Sequence, residues 1–163
     1  MTVAQSLRTP SLWIALAVAF VVGAVGGALT PIGDWYRALV KPAFQPPDWA
    51  FGPAWTVIFL LTAYSAHRLW EANQAGSSER RQLLALVLFN ALLNVGWSFL
   101  FFTQRRPDIA LYEAFVLLLS VLLLIIAPSR KLPRIRWLLA PYAAWVCFAI
   151  TLNAAIVQLN APF

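Results

Sequence analysis

The sequence predicts an all-α membrane protein in which five transmembrane helices form a bundle. Hydrophobic residues make up 61% of the 163 residues and charged residues only 11%, and the mean hydropathy is +0.74. Five apolar runs approach the roughly 20 residues that a helix needs to cross a bilayer. These runs cover about 11–30, 52–70, 83–102, 109–127 and 137–159. Because they fill most of the chain, we expect a single domain over residues 1–163 and a lipid bilayer as its surroundings.

The net charge of +6 does not indicate a nucleic-acid partner, because the basic residues lie almost entirely between the apolar runs. The N-terminus and the second and fourth loops carry eight of them: Arg8, Arg68, Arg80, Arg81, Arg130, Lys131, Arg134 and Arg136. The first and third loops carry four: Arg37, Lys41, Arg105 and Arg106. Since Lys and Arg are enriched in cytoplasmic loops, we expect a multi-pass protein with a cytoplasmic N-terminus.

Motifs for conventional hydrolytic or metal chemistry do not occur in the sequence. The chain has one histidine and one cysteine, Cys147, and it contains no Gly-rich phosphate loop, no metal-ligand spacing and no Ser–His–Asp set. We therefore expect no metal and no required cofactor.

The first helix follows Thr9-Pro10, a sequence that suits a helix start. Small residues recur in it at every fourth position: Ala15, Ala19, Gly23 and Gly27. This spacing lets a neighbouring helix approach closely. The neighbour is either a second copy in a dimer or a helix of the same chain, and we favour the second.

A loop rich in aromatic residues and proline, residues 31–51, separates the first two helices. Pro42, Pro46 and Pro47 cannot continue a helix and restrict the residues before them to extended conformations. We expect this loop to be stiff and to cap a binding pocket at the end of the bundle.

The second helix places Trp55, Phe59 and Thr62 on one face. Its far end holds His67 and Arg68, flanked by aromatic residues that typically lie at membrane interfaces. His67 could be an axial haem ligand, but we favour an interfacial position. Ser77 or Ser78 could cap the third helix.

Two later helices carry polar and aromatic residues on one face. The third has Asn90, Asn94, Trp97 and Phe101 within a narrow wedge, and the fifth has Tyr142, Trp145, Ala149 and Asn153. Amides in hydrocarbon need partners, so these faces should point into the bundle. They either join helices by hydrogen bonds or line a pocket for a flat, polar ligand.

Glu113 is the one acid that lies clearly inside an apolar run. An intramembrane carboxylate is a functional candidate. It follows Asp108 by little more than one helical turn, so we interpret it as a hydrated residue near the interface and assign it no chemistry.

Several of these residues resemble the motifs of the TspO/MBR family, the tryptophan-rich sensory and translocator proteins. The resemblance covers nearly the whole chain. In the first loop and the start of the second helix it rests on Trp35, Tyr36, Leu39, Lys41, Pro42, Pro46, Pro47, Trp49, Phe51 and Trp55. In the third helix and after it, it rests on Asn94, Trp97, Phe101, Phe102, Arg106 and Pro107. In the fifth helix it rests on Pro141, Tyr142, Trp145, Phe148, Ala149, Leu152, Asn153 and Asn160.

The resemblance implies a five-helix bundle, commonly a homodimer, that binds tetrapyrroles such as protoporphyrin IX or haem under the first loop. Together with the helix faces above, it implies a ligand site formed by Tyr36, Trp55, Phe59, Asn90, Asn94, Trp97, Phe101, Tyr142, Trp145 and Ala149. Phe44 and Phe99 depart from the family pattern, at positions where a tryptophan and a proline are common. The family's C-terminal cholesterol motif is missing, so we do not expect sterol specificity.

The sequence leaves more than one function open. The first is tetrapyrrole binding for sensing, sequestration or transport, with Arg37 or Lys41 attracting the propionates. The alternative is an enzyme that degrades porphyrin in light and oxygen, with Trp55 and Trp145 as its catalytic residues, as the resemblance to some bacterial members implies. A scaffold whose aromatic residues only pack is the third.

Overall fold

Five long helices dominate the described part of the chain, which is residues 3–126, 132 and 134–163 of this computed structural model. They are α1 (Pro10–Ala28), α2 (Phe51–Ala72), α3 (Ser78–Ser98), α4 (Pro107–Ile126) and α5 (Ala140–Asn160). All five, with short helical extensions on three of them, are long and apolar enough to cross a membrane. No strand occurs in the described residues. The predicted fold class, an all-α multi-pass membrane protein, is confirmed.

Short turns of other helix types extend three of these elements. A 3₁₀ turn, Asp48–Ala50, precedes α2, and another, Ile135–Leu139, precedes α5. A π-helical turn, Phe99–Thr103, continues α3. Arg130, Lys131 and residue 127, which we assigned to the basic fourth loop and to the end of the fourth helix, lie outside the described residues.

The largest boundary error is at the start of α3, which begins five residues before the predicted position. Residues 79–82 are polar and charged, so the apolar run does not include them, yet they form the first turn of the helix. The Ser77 hydroxyl accepts a hydrogen bond from the Arg80 backbone N–H at 3.3 Å. This bond satisfies one of the free N–H groups at the helix start and confirms the predicted cap.

The helices form a closed ring in the order α1, α2, α5, α4, α3 and back to α1. The most extensive contacts are those of α1 with α2, and of α4 with α5 and α3. Leu117 and Val121 of α4 are buried against Tyr142, Val146 and Ile150 of α5. The ring leaves space between α1, α2, α3 and α5, and this is where the candidate site lies.

The first loop lies over one end of this ring. It contains a short helix, Asp34–Ala38, which sequence periodicity did not indicate. The Tyr36 ring packs against Phe102 just beyond α3, with ring centroids 5.4 Å apart. The Asn160 side chain at the end of α5 bonds to the main chain of Val40. The loop is therefore attached to two of the helices that it covers.

Candidate functional site

A cavity of about 670 Å³ lies within the ring beneath the first loop. Eight of the ten predicted site residues line it: Tyr36, Trp55, Phe59, Asn94, Trp97, Phe101, Trp145 and Ala149. They come from α2, α3 with its π turn, α5 and the first loop. Helical periodicity therefore identified faces that converge on one space, although their role toward a ligand remains a prediction.

Aromatic rings form one side of the cavity where α2 meets α5. The Trp55 ring stacks on Phe59, one turn along α2, with centroids 5.2 Å apart and an interplanar angle of 28°. Trp145 meets Trp55 edge to face at 6.4 Å. Because each ring packs on another aromatic ring, its orientation is restricted before any ligand arrives.

A second aromatic pair of the cavity wall lies on α3 and its π turn. Trp97 stacks on Phe101 with centroids 5.0 Å apart. The indole N–H of Trp97 donates to the Asn153 side-chain oxygen at 3.2 Å, and the Asn153 amide donates to the Pro107 carbonyl at 2.8 Å. Asn153 thus joins α5 to α3 and α4 and restricts the Trp97 ring.

Two predicted site residues, Asn90 and Tyr142, do not line the cavity. The Tyr142 hydroxyl donates to the Asn90 side-chain oxygen and accepts from the Asn94 amide, both at 3.1 Å. The Asn90 amide donates to Ser120 of α4 at 2.8 Å. Their polar atoms pair with one another because no water is present to solvate them in the membrane. Both interpretations of the polar face of α3 therefore apply: Asn94 lines the cavity, and Asn90 joins helices by hydrogen bonds.

Polar side chains gather at the loop end of the cavity. The Tyr36 hydroxyl donates to an Asp48 carboxylate oxygen at 3.2 Å and accepts from the Gln45 amide at 3.1 Å. Burial, and next the Asp48 carboxylate, raise the pKa of Tyr36 to about 12. The Lys41 ammonium lies 4.4 Å above the Tyr36 ring, a distance at which a cation is attracted to the ring face. Neither Arg37 nor Lys41 is itself part of the cavity wall.

Several polar groups of the cavity wall make no hydrogen bond within the described part of the chain. They include the indole N–H groups of Trp55 and Trp145, the Asn94 side-chain oxygen and the buried Gln45 side-chain oxygen. Donors and acceptors therefore accompany a mostly apolar wall. This combination is typical of sites for small organic molecules.

Sequence reasoning missed the contribution of α1 to this wall. Ala19, Gly23 and Gly27 line the cavity, and a Cβ atom at Gly23 would lie 3.3 Å from the Phe59 ring. The four-residue spacing was the available signal, but we interpreted it only as a helix-packing face. The absence of side chains there provides both close packing with α2 and space for the cavity.

His67 is not the interfacial residue that we predicted. Its side chain is only 1% exposed, and its Nδ1 lies 2.9 Å from the Ser11 hydroxyl of α1. The Ser11 hydroxyl donates to Glu71 at 2.6 Å. Helix α1 covers this end of α2, so His67 points inward even though it lies near a helix end. It does not line the cavity either.

The prediction of a hydrated Glu113 is also wrong. Both carboxyl oxygens are buried, and neither has a hydrogen-bond partner. The neighbouring helices cover this carboxyl group, which proximity to the helix start did not reveal.

Comparisons with known proteins agree with the residue motifs. The sequence pattern of the TspO/MBR family matches residues 14–159. The tryptophan-rich protein TspO of Chlorobaculum tepidum is 35% identical, over 96% of this chain and 98% of that protein. The TspO of Archaeoglobus fulgidus is 35% identical over 86% and 90% of the two chains, and the translocator protein of Homo sapiens is 28% identical over 77% and 75%. The chain therefore belongs to the TspO/MBR family of membrane proteins.

Proposed function

We propose that this membrane protein binds a tetrapyrrole, a porphyrin or haem, in the cavity beneath the first loop. The observation that carries the proposal is an aromatic cavity of about 670 Å³ whose wall includes the indoles of Trp55, Trp97 and Trp145. Its volume lies within the range of about 300–1,000 Å³ that is common for ligand sites. The size favours a large ligand over a single ion or a short peptide side chain.

The rings of the wall suit a flat aromatic molecule. Trp55 and Trp145 form one aromatic pair of this wall, and Trp97 and Phe101 form another. An aromatic pair contributes about 0.5–1.5 kcal/mol beyond the burial of its surface. A tetrapyrrole presents two large π faces, so it offers area for contact with more than one of these rings.

The polar groups suit the carboxylates at the edge of such a ligand. The Trp55 and Trp145 indole N–H groups can each donate to an oxygen, and Lys41 provides a positive charge beside Tyr36. The Asn94 oxygen can accept from a pyrrole N–H group. The mostly apolar remainder of the wall matches the vinyl and methyl edge of the ligand.

A titration with haem on detergent-purified protein tests the proposal. We expect saturable changes in the Soret absorbance, and about tenfold weaker binding for Trp55→Phe, equivalent to about 1.4 kcal/mol. Trp49→Phe is the matched control, because Trp49 is 75% exposed and lies outside the cavity wall. Binding that does not saturate, or that weakens equally in both variants, would contradict the proposal and favour a scaffold role.

One contact favours a second function, light-dependent porphyrin oxidation by dioxygen. Trp55 and Trp145 meet at 6.4 Å within the cavity wall, so either indole could relay an electron. The indole would reduce the excited ligand, the ligand would pass the electron to dioxygen, and the indole radical cation would regain an electron from the ligand. The net result is the transfer of one electron from the porphyrin to dioxygen. Illuminating the porphyrin complex in air should then give a new product. This product should be absent in Trp55→Phe and in Trp145→Phe, whereas unchanged bleaching in both variants would rule out this role.

We include sensing, sequestration and transport in the proposal as the roles that binding could serve. The human relative is named translocator protein. Loading proteoliposomes with an acceptor for haem separates these roles. Transport requires faster arrival of external haem in vesicles that contain the protein than in empty ones, whereas equal rates limit the role to binding.

The proposed orientation places the N-terminus in the cytoplasm. The supporting observation is the count of eight basic residues against four on the two sides. Cysteine labelling in intact cells tests it, after Cys147→Ala removes the native thiol. Gln74→Cys should resist a membrane-impermeant maleimide, and Ala43→Cys should react. The reverse pattern would invert the orientation.

We also propose a homodimer, as the family resemblance implies. Ile14 and Val21 share one face of α1, are exposed at 63% and 56%, and do not line the cavity, so they are available to lipid or to a second copy. Light scattering coupled to size-exclusion chromatography in detergent measures the protein mass. A monomer mass at all concentrations would contradict the dimer.

A further inference from the structure

The carboxyl group of Glu113 lies within the membrane-spanning part of α4. It is the seventh residue of this helix, Pro107–Ile126, and therefore about 9 Å from its start at 1.5 Å per residue. Both carboxyl oxygens are buried and lack a hydrogen-bond partner. The buried amide of Asn90 and the hydroxyl of Tyr142, elsewhere inside the bundle, are paired with each other.

No basic side chain lies opposite this carboxyl group on the segments that pack against α4. Residues 82–103 of α3 and its π turn contain no charged residue, and α5 contains none. The titratable groups of α5 are Cys147, which is exposed, and Tyr142, which interacts electrostatically with Glu113. Arg80 and Arg81 of α3 and Arg136 before α5 lie at the opposite end of α4.

Two of the three charged groups at the near end of α4 pair with each other. Asp108 on the same helix pairs with Arg106 at 2.6 Å. Arg105 is exposed, and its guanidinium group lies 5.9 Å from the centre of the Trp35 ring. Within the described part of the chain, a negative charge on Glu113 would therefore have neither a counter-ion nor a hydrogen-bond donor.

An unpaired charge in a low-dielectric environment is so costly that a carboxylate becomes neutral by taking up a proton. We propose that Glu113 is a proton-binding site within the membrane, which holds a proton at neutral pH and exchanges it with water. The proposed ligand is the proton itself. Glu113 does not line the cavity, so this proposal is independent of tetrapyrrole binding.

A hydrophobic carbodiimide, dicyclohexylcarbodiimide, tests for such a group on the intact protein in lipid vesicles. The protonated carboxyl group adds across one C=N bond of the reagent, with its oxygen bonding to carbon and its proton moving to nitrogen. The acyl group then migrates to nitrogen and forms a stable N-acylurea. Nothing leaves, so the labelled peptide gains the mass of one reagent molecule.

We expect the label on Glu113 at neutral pH, and we expect labelling to decrease at least tenfold as the pH rises from about 6 to about 10. Glu113→Gln should lose this label. Asp108→Asn is the matched control, because it removes an acid from the same helix that is paired with Arg106, and it should keep the label on Glu113. No label on Glu113, or labelling that does not change with pH, would overturn the proposal.

Infrared spectroscopy gives a second measurement that does not need the reagent to reach the site. The wild-type protein should show the C=O stretching band of a protonated carboxyl group at neutral pH, and Glu113→Gln should lack this band. Identical spectra in this region would overturn the proposal. If the glutamine variant does not fold, the wild-type protein alone tests the proposal. The band should be present at neutral pH and should disappear as the pH rises, and its absence at neutral pH would overturn the proposal.

Discussion

The side-chain amide of Asn160 makes two hydrogen bonds with the main chain of Val40. The Val40 N–H donates to the Asn160 oxygen at 2.8 Å, and the Asn160 amide donates to the Val40 carbonyl at 2.9 Å. Asn160 also donates to the Ile156 carbonyl one turn earlier at 2.8 Å. The last residue of α5 therefore holds the middle of the first loop in one position over the cavity.

Replacing Asn160 by alanine should release this part of the loop. We expect the Val40 amide to exchange its hydrogen at least tenfold faster, because its acceptor is removed, whereas exchange in the middle of α2 should not change. Hydrogen-exchange mass spectrometry of the loop peptide measures this. Gln158→Ala, which changes an exposed amide on the same helix, is the control. Equal exchange in the two variants would mean that other contacts hold the loop.

Tyr142→Phe should destabilise the bundle without changing its shape. The variant leaves the Asn90 oxygen without a donor and the Asn94 amide without an acceptor. An unsatisfied buried polar group costs about 1–3 kcal/mol, so the unfolding temperature in detergent should decrease. Tyr112→Phe should leave it unchanged, because Tyr112 is 74% exposed. If both variants unfold at the same temperature, the hydrogen-bonded chain contributes little to stability.

The Tyr36 phenol should lose its proton only at unusually high pH. Its pKa is raised to about 12 in the folded protein, against an ordinary value of about 10. Folding therefore favours the neutral phenol, and this contribution to stability is complete below about pH 10 and is lost as the pH rises toward about 12. The difference in phenolate absorbance between wild type and Tyr36→Phe measures the midpoint. Asp48→Asn should lower this midpoint, since the Asp48 charge is one cause of the shift.

Lys41→Ala should weaken haem binding mainly at low salt. The Lys41 ammonium lies beside the polar end of the cavity, and salt screens the attraction between its charge and ligand carboxylates. Titrations at two salt concentrations measure the effect, and Lys41→Arg should retain most of the affinity. If Lys41→Ala changes neither affinity nor salt dependence, Lys41 does not attract the propionates.

Two glycines of α1 should respond differently to alanine. A Cβ atom at Gly27 has no neighbour within 4 Å, whereas one at Gly23 meets the Phe59 ring at 3.3 Å. Alanine in a helix is favoured over glycine by about 0.5–1 kcal/mol. Gly27→Ala should therefore raise the unfolding temperature in detergent. Gly23→Ala should raise it less or lower it, and an equal gain in both would show that Phe59 moves freely.

Helical periodicity predicted the aromatic wall of the cavity well. Trp55 and Phe59 are four residues apart, as are Trp97 and Phe101, and each pair shares a face in any straight helix. To predict that these faces meet at one cavity, it was only necessary to identify which side of each helix faces inward. The same reasoning could not separate Asn90 from Asn94. Both lie on one face, and the pattern did not reveal that Asn90 bonds to Ser120 of α4 whereas Asn94 borders the cavity.

The remaining differences come from contacts between distant parts of the chain. Burial of His67 depends on Ser11, 56 residues earlier, and burial of Glu113 depends on how the neighbouring helices cover α4. The pattern of residues along one helix contains no information about which distant segments bury its side chains. The glycines of α1 correctly indicated close approach of a neighbouring helix, which is shown by the 3.3 Å between a Cβ atom at Gly23 and the Phe59 ring, but their spacing did not reveal that they also line the cavity.

The π turn at Phe99–Thr103 has a consequence for the length of the chain. The Gln104 N–H bonds to the Phe99 carbonyl at 2.8 Å, five residues back rather than four, so this turn holds one residue more than an α-helical turn. Removing a residue elsewhere in a helix rotates everything beyond it by about 100°. The π turn lies at the C-terminal end of α3, before the loop to Pro107, so removing one residue here would leave the preceding part of α3 unrotated. A one-residue deletion in this turn should therefore disturb the ring of helices less than the same deletion in the middle of α3.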